Sequence, residues 1–176
     1  MPAAPAGALL FTERGKILPG QMDGPRTGQL DAGRQVQERG LAAAAETREP
    51  ERVALLAHPA SVTDDLTHSL DALARLPDIR LSAAFGPQHG LRGDKQDNMM
   101  ESPDFNDPLL GIPVYSLYGK VRRPTPAMMD SFDVLLVDLQ DLGCRIYTFM
   151  TTLRYVLEAA AQFNKRVIVL DRPNPA

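Results

Sequence analysis

From residue 53 onward, short unbroken apolar runs alternate with stretches whose apolar residues recur every three or four positions. The first run, Val53 to Ala57, suits a strand buried on both faces. Next comes a helix pattern with Thr63 as N-cap, Asp64 and Asp65 in the first turn, and an apolar stripe of Leu66, Leu70, Leu73 and Leu76 closed by Pro77. Ile79 to Phe85 predicts a second strand, and Pro113 to Leu117 a third. Thr125-Pro126 opens a short helix with proline in its first turn. Val134 to Leu139 predicts a fourth strand. The longest helical pattern starts at Arg145 or Tyr147 and ends at Phe163. Met150, Leu153, Val156, Leu157, Ala160 and Phe163 share one of its faces, with Asn164 at C′. Val167 to Leu170 is the fifth strand. Strands alternating with helices predict an α/β fold built on a doubly wound, mostly parallel sheet.

Residues 1–50 break this pattern, being poor in periodic apolar residues and rich in Ala, Gly, Pro, Gln and Arg. Met1 to Arg34 is expected to be a poorly ordered arm, because it offers too little apolar surface to offset its ordering entropy. Gln35 to Ala45 can form one helix, weakened at Gly40. Residues 51–176 then form the folded domain. The chain stops just past the fifth strand with no helix to cover it, so the domain is expected to be truncated there. Apolar surface left open on that strand would favour marginal stability or self-association.

Polar clusters follow three of the five strands. After the second comes Gln88-His-Gly-Leu-Arg92-Gly-Asp94, and after the fourth Asp138-Leu-Gln140-Asp141-Leu-Gly-Cys-Arg145-Ile-Tyr147. After the fifth comes Asp171-Arg172-Pro-Asn174. Ligands of open parallel sheets bind outside the carboxyl ends of the strands, so these clusters predict a binding cleft. The plainer alternative for Gln88, His89, Arg92 and Asp94 is a solvated turn. For Asp141 it is a helix cap, and for Asp138 an ion pair with Arg145. His58 follows the first strand and can share the same rim. Glu101 and Asp104 are either solvated or fold the long loop over the cleft. Cys144 reads as packing.

Composition narrows the chemistry. A net charge of −3 gives no footprint for nucleic acid. One cysteine excludes an intrachain disulfide and any multi-cysteine metal site. No metal site and no cofactor is expected, since the glycine spacing fits neither GxGxxG nor a P-loop. No run reaches transmembrane length, and no signal peptide is recognisable. The expected location is therefore the cytoplasm, or the periplasm or exterior if the true N-terminus lies upstream.

Five stretches together resemble the DUF1343 family of exo-β-N-acetylmuramidases. They are Leu56-Ala-His-Pro-Ala-Ser61, Gly86-Pro-Gln-His-Gly-Leu-Arg-Gly-Asp94, Val114-Tyr-Ser-Leu-Tyr-Gly119 with Arg123-Pro-Thr125, Asp138 to Thr148, and Asp171-Arg-Pro-Asn-Pro175. The resemblance implies a Rossmann-like N-terminal domain, with the family's separate C-terminal domain absent from these residues. It also implies release of N-acetylmuramic acid (MurNAc) from the non-reducing end of cell-wall fragments. A muropeptide or amino sugar would be the ligand; oligomeric state is left open. In that setting Gln88, His89, Arg92, Asp94, Gln140, Arg145, Tyr147, Asp171, Arg172 and Asn174 would bind substrate. Asp138, Asp141 or Glu101 would supply acid/base chemistry.

One position departs from the family. Many members have Glu in a Pro-Glu-His-Gly stretch as the proposed catalytic acid, and this chain has Gln88. An amide has no proton acidic enough for a leaving alkoxide. Either another carboxylate replaces it (Glu101, Asp94, Asp138 or Asp141), or the chain binds without cleaving, or its substrate differs. An N-acetyl sugar can also supply its own nucleophile, which leaves less for the protein to do. A non-catalytic sugar-binding module and a nucleotide- or phosphate-binding Rossmann domain are the rival readings.

Overall fold

In a computed structural model, residues 51–93, 101–144 and 147–171 are described in full, with the backbone of Leu9–Phe11 and Ile17–Leu18. The strands are β1 (Leu9–Phe11), β2 (Ile17–Leu18), β3 (Arg52–Ala57), β4 (Arg80–Gly86), β5 (Phe105–Asn106), β6 (Pro113–Ser116), β7 (Val134–Asp138) and β8 (Arg166–Val169). The helices are α1 (Ser69–Ala74), α2 (Pro126–Met129) and α3 (Phe149–Gln162). One sheet runs in the order β2-β1-β8-β7-β3-β4-β6-β5. Its five central strands, β8, β7, β3, β4 and β6, are parallel, and β1, β2 and β5 add antiparallel edges. Chain order reverses between β3 and β7, the switch point at which a doubly wound sheet opens a crevice.

Alternation along each central strand fills both faces. Val53, Leu55 and Ala57 face one core with Leu70 and Leu73 of α1 and with Ile168 and Leu170. Ala54 and Leu56 face the other, with Met128 and Met129 of α2 and Val156, Ala159 and Ala160 of α3. Leu55 and Leu56 are both fully buried, and each such side chain contributes about 1.5–3 kcal/mol of transfer free energy. At the opposite end from the crevice, Arg52 clamps Asp133 through Nε (3.1 Å) and Nη2 (2.8 Å). Both side chains are more than a third exposed, so the pair contributes register more than stability.

Four expectations need correction. Thr63 does not cap a helix: its hydroxyl donates to Asp65 and to the Thr67 carbonyl, closing a local turn, and α1 starts five residues later. Leu66 therefore leaves the apolar stripe. It takes a left-handed φ of 64° and is 79% exposed. Met150, placed on the buried face of α3, is 60% exposed. The last strand is not left bare either. Val167, Ile168 and Leu170 are buried, and the edge of β8 is paired by β1, from the arm where no strand was expected. The Gln35–Ala45 helix lies outside the described residues.

Candidate functional site

The chain leaves β3 in a tight turn. The Ser61 N–H donates to the His58 carbonyl at 2.9 Å, and the His58 N–H donates to Ser61 Oγ at 3.0 Å. Ser61 Oγ then donates to the Asp138 carbonyl at 2.6 Å, which ties the end of β3 to the end of β7 across the switch point. The buried His58 ring accepts the Gln140 N–H at Nε2 (3.2 Å) and packs against Phe149, with centroids 4.8 Å apart. Asp138 has no exposed surface, and its Oδ2 accepts the Ser69 hydroxyl at 2.5 Å. A carboxylate held in this way orients the strand ends around it. Contact with a bound sugar would require the surrounding groups to open.

Beyond β4, Pro87 to Gly90 form a turn closed by Gly90 N–H to Pro87 O at 3.0 Å. His89 sits in it at φ 71°, a left-handed conformation that costs a non-glycine residue about 1–2 kcal/mol. The exposed His89 side chain is thus carried at the crest of the turn at an energetic cost, a pattern that clusters at functional sites. Gly86 is needed beneath it, because a Cβ there would meet the Leu91 backbone nitrogen at 3.0 Å. Gln88 is half-buried, and its Oε1 accepts the Thr148 hydroxyl at 3.4 Å. Thr148 is the N-cap residue of α3, yet its side chain caps no helix N–H; it turns toward Gln88 instead. Beside this turn lies a shallow, open groove, lined among others by Leu91, Pro103, Phe105 and Tyr115.

Other candidates have structural partners. Arg92 is bidentate to Asp71 (2.8 and 2.6 Å) and lies 3.6 Å from Asp107. Hydrogen bonding raises the Arg92 pKa and lowers that of Asp71. Arg92 therefore braces α1 against the β5–β6 turn, where a substrate contact was expected. Asp141 accepts the Gly143 N–H at 2.7 Å, forming a turn rather than the helix cap considered from sequence. Glu101 is exposed and lies 3.8 Å from Arg122, beside the end of β6. Asp104 accepts the Ser116 N–H at 2.7 Å, so it does fold the long loop onto the sheet. Tyr147 is 37% exposed, edge-on to Phe149 at 5.4 Å. Asp171 is exposed just past β8, and Cys144, expected to pack, is exposed too. Asp94, Arg145, Arg172 and Asn174 lie outside the described residues.

The structure thus brings His58, Asp138 and Gln140 together at the switch point, with the Gln88–Thr148 pair beside them across the His58–Phe149 contact. Sequence reasoning passed over Ser61, His68, Ser69 and Thr148, whose hydroxyls and imidazole make the joints. Ser61 and Thr148 carried a signal, each ending a stretch that resembles the family, Leu56–Ser61 and Asp138–Thr148. Among the described residues no helix is long and apolar enough to cross a membrane.

A family model for the N-terminal region of the exo-β-N-acetylmuramidase NamZ matches residues 53–176. The chain belongs to this family. Over 124 residues it is 48% identical to the peptidoglycan β-N-acetylmuramidase NamZ of Bacillus subtilis, covering 70% of this chain and 30% of that protein. Two crystal structures of DUF1343 family proteins from Bacteroides fragilis are also similar. One has a TM-score of 0.69 at 44% identity, over 81% of this chain and 34% of its own. The other has a TM-score of 0.62 at 30% identity, over 80% and 35%. The chain therefore spans about a third of the length of these relatives. Its mixed, mostly parallel α/β sheet is that of the DUF1343 N-terminal domain.

Proposed function

We propose that residues 51–176 form the domain of a β-N-acetylmuramidase that presents the sugar-binding rim, acting on MurNAc-containing cell-wall fragments. One observation supports this reading: the described parts of three stretches that resemble the family, at His58–Ser61, Pro87–Leu91 and Asp138–Gln140, are joined to one another at the carboxyl ends of the strands, directly or through His68. Gln88 and His89 crest the rim beside the shallow groove, and the exposed His89 is open to a sugar ring laid over it. Gln140 and Asp141 border it from β7 and Tyr147 from the start of α3. Asp138 acts from beneath, as a positioning group for the strand ends. Gln88 occupies the family's acid position, and its amide can hold a glycosidic oxygen by hydrogen bonding but cannot protonate it. The wild-type sequence is therefore expected to bind the sugar far better than it turns it over.

The test is a Gln88→Glu substitution in the full-length protein that the reading frame encodes. Its readouts are disaccharide affinity and release of MurNAc from a β-MurNAc glycoside. General acid catalysis contributes roughly 10²–10⁴-fold. Turnover should rise by at least about 100-fold while affinity changes little. If neither form binds or cleaves any MurNAc substrate, the reading is wrong; saturable nucleotide binding in its place would favour a phosphate-binding Rossmann domain.

A further inference from the structure

The first residue of the α1 cap has bonds on both ring nitrogens, and together they assign its chemical form. His68 is the N-cap residue, and Nδ1 lies 3.2 Å from the Leu70 nitrogen. A backbone N–H only donates, so Nδ1 is the acceptor. Nε2 lies 3.1 Å from the His58 carbonyl and 3.1 Å from the Leu91 carbonyl. Carbonyls only accept, so Nε2 carries the proton and is shared between them. The neutral Nε2–H tautomer is the one form that satisfies all three partners.

The two carbonyls belong to different parts of the rim. His58 closes the turn after β3, and Leu91 is the buried residue that ends the turn holding Gln88 and His89. We propose that His68 is a positioning residue: a neutral imidazole strut, fixed by the first turn of α1, that locks the His58–Ser61 turn to the Pro87–Leu91 turn. It thereby sets where Gln88 and His89 stand over the strand ends. Neighbouring groups agree with the neutral form. Burial lowers the His68 pKa most and the Arg92 cation lowers it further, and together they outweigh the raising effect of the His58 and Leu91 carbonyl bonds and of Asp71. The other titratable groups close to this brace are His58, whose carbonyl it holds, and Asp107, which faces Arg92. A second proton would set an Nδ1–H against the Leu70 N–H.

Substitution can separate cap from strut. Asparagine is among the best N-cap residues but is too short to span to the two carbonyls, so His68→Asn keeps the cap and removes the strut. His68→Ala removes both. The readouts are the imidazole tautomer by ¹⁵N NMR and amide hydrogen exchange, on the same chain. Wild type should show the Nε2–H tautomer. In His68→Asn the Ser61 and Gly90 amides, which close the two turns, should exchange about five- to tenfold faster, the loss expected for one hydrogen bond. Leu70 should stay protected, and should lose protection in His68→Ala. An Nδ1–H tautomer, or unchanged Ser61 and Gly90 protection in His68→Asn, would overturn the strut. The consequence for ligand rests on the proposed sugar-binding rim, and disaccharide affinity should fall at least fivefold in His68→Asn. Loosened turns with no disaccharide binding even in wild type would refute the sugar reading and leave the strut standing. Loosened turns with unchanged affinity would overturn the positioning role.

Discussion

The joint between Ser69 and Asp138 is the sharpest place to test whether the rim is held from below. Ser69 is 2% exposed, Asp138 is fully buried, and the hydroxyl lies 2.5 Å from Oδ2. Ser69→Ala removes the donor and leaves the helix backbone intact. Losing a buried hydrogen bond to a carboxyl oxygen costs about 1.5–3 kcal/mol. A domain of this size shifts about 2–4 °C in Tm per kcal/mol, so the melt should fall by about 3–12 °C. Denaturant titration of wild type, Ser69→Ala, Asp138→Asn and the double variant would close a double-mutant cycle. The coupling should exceed about 1 kcal/mol, because the hydroxyl–carboxyl bond exists only when both partners are present. Singles that cost under about 0.5 kcal/mol and add independently would refute the argument. The Ser69 hydroxyl would then contribute nothing to holding Asp138 in place.

Two further outcomes follow from the same geometry. Asp71 and Asp133 are held below the usual carboxylate value of 3.8 by hydrogen bonds from Arg92 and Arg52. Their contribution is present above that value and is lost as pH falls through the depressed folded values; His68, lowered from 6.5, works the same way at higher pH, since the unfolded chain takes up its proton first. Stability measured by denaturant titration should therefore decline in two steps, below about pH 6.5 and again below about pH 4, and His68→Asn should lose the upper step. Gly119→Ala should force the 101–104 segment off the sheet, because a Cβ there would meet the Ser102 carbonyl at 2.5 Å. A cost of about 1–3 kcal/mol with faster exchange at Ser102 is expected, and an unchanged melt would show that the segment yields freely.

The sheet was legible because burial on both faces leaves little choice of residue. Val53 to Ala57 is a continuous apolar run and Val134 to Leu139 is broken only by Asp138, and each appears as a strand within one residue of expectation. Asn164 takes the left-handed φ of 52° that its place after α3 suggested. The β1–β8 pairing was not legible, because a three-residue strand carries almost no pattern and its partner lies far along the chain. Strand ends announced the rim, through Gln88, His58 and Asp138. Its joints did not show, since a serine hydroxyl or a threonine that turns from its helix toward Gln88 looks in sequence like any polar residue.

The start of α1 is the most informative failure. Thr63-Asp64-Asp65 carries every local sign of a helix entry, and local hydrogen bonding satisfies those same groups in a turn instead. The helix is delayed to His68, a weak choice for an N-cap on propensity alone. Local preference therefore yields here to something tertiary, and such conflicts gather at functional or strained sites. Starting at Thr63 would carry the first turn through Leu66, which is 79% exposed, and would place no side chain between the His58 and Leu91 carbonyls. Starting at His68 sets imidazole and hydroxyl side by side, one holding the two rim turns and the other holding Asp138. The helix begins where the rim needs its supports, and the sequence around Thr63 is built to keep it from beginning sooner.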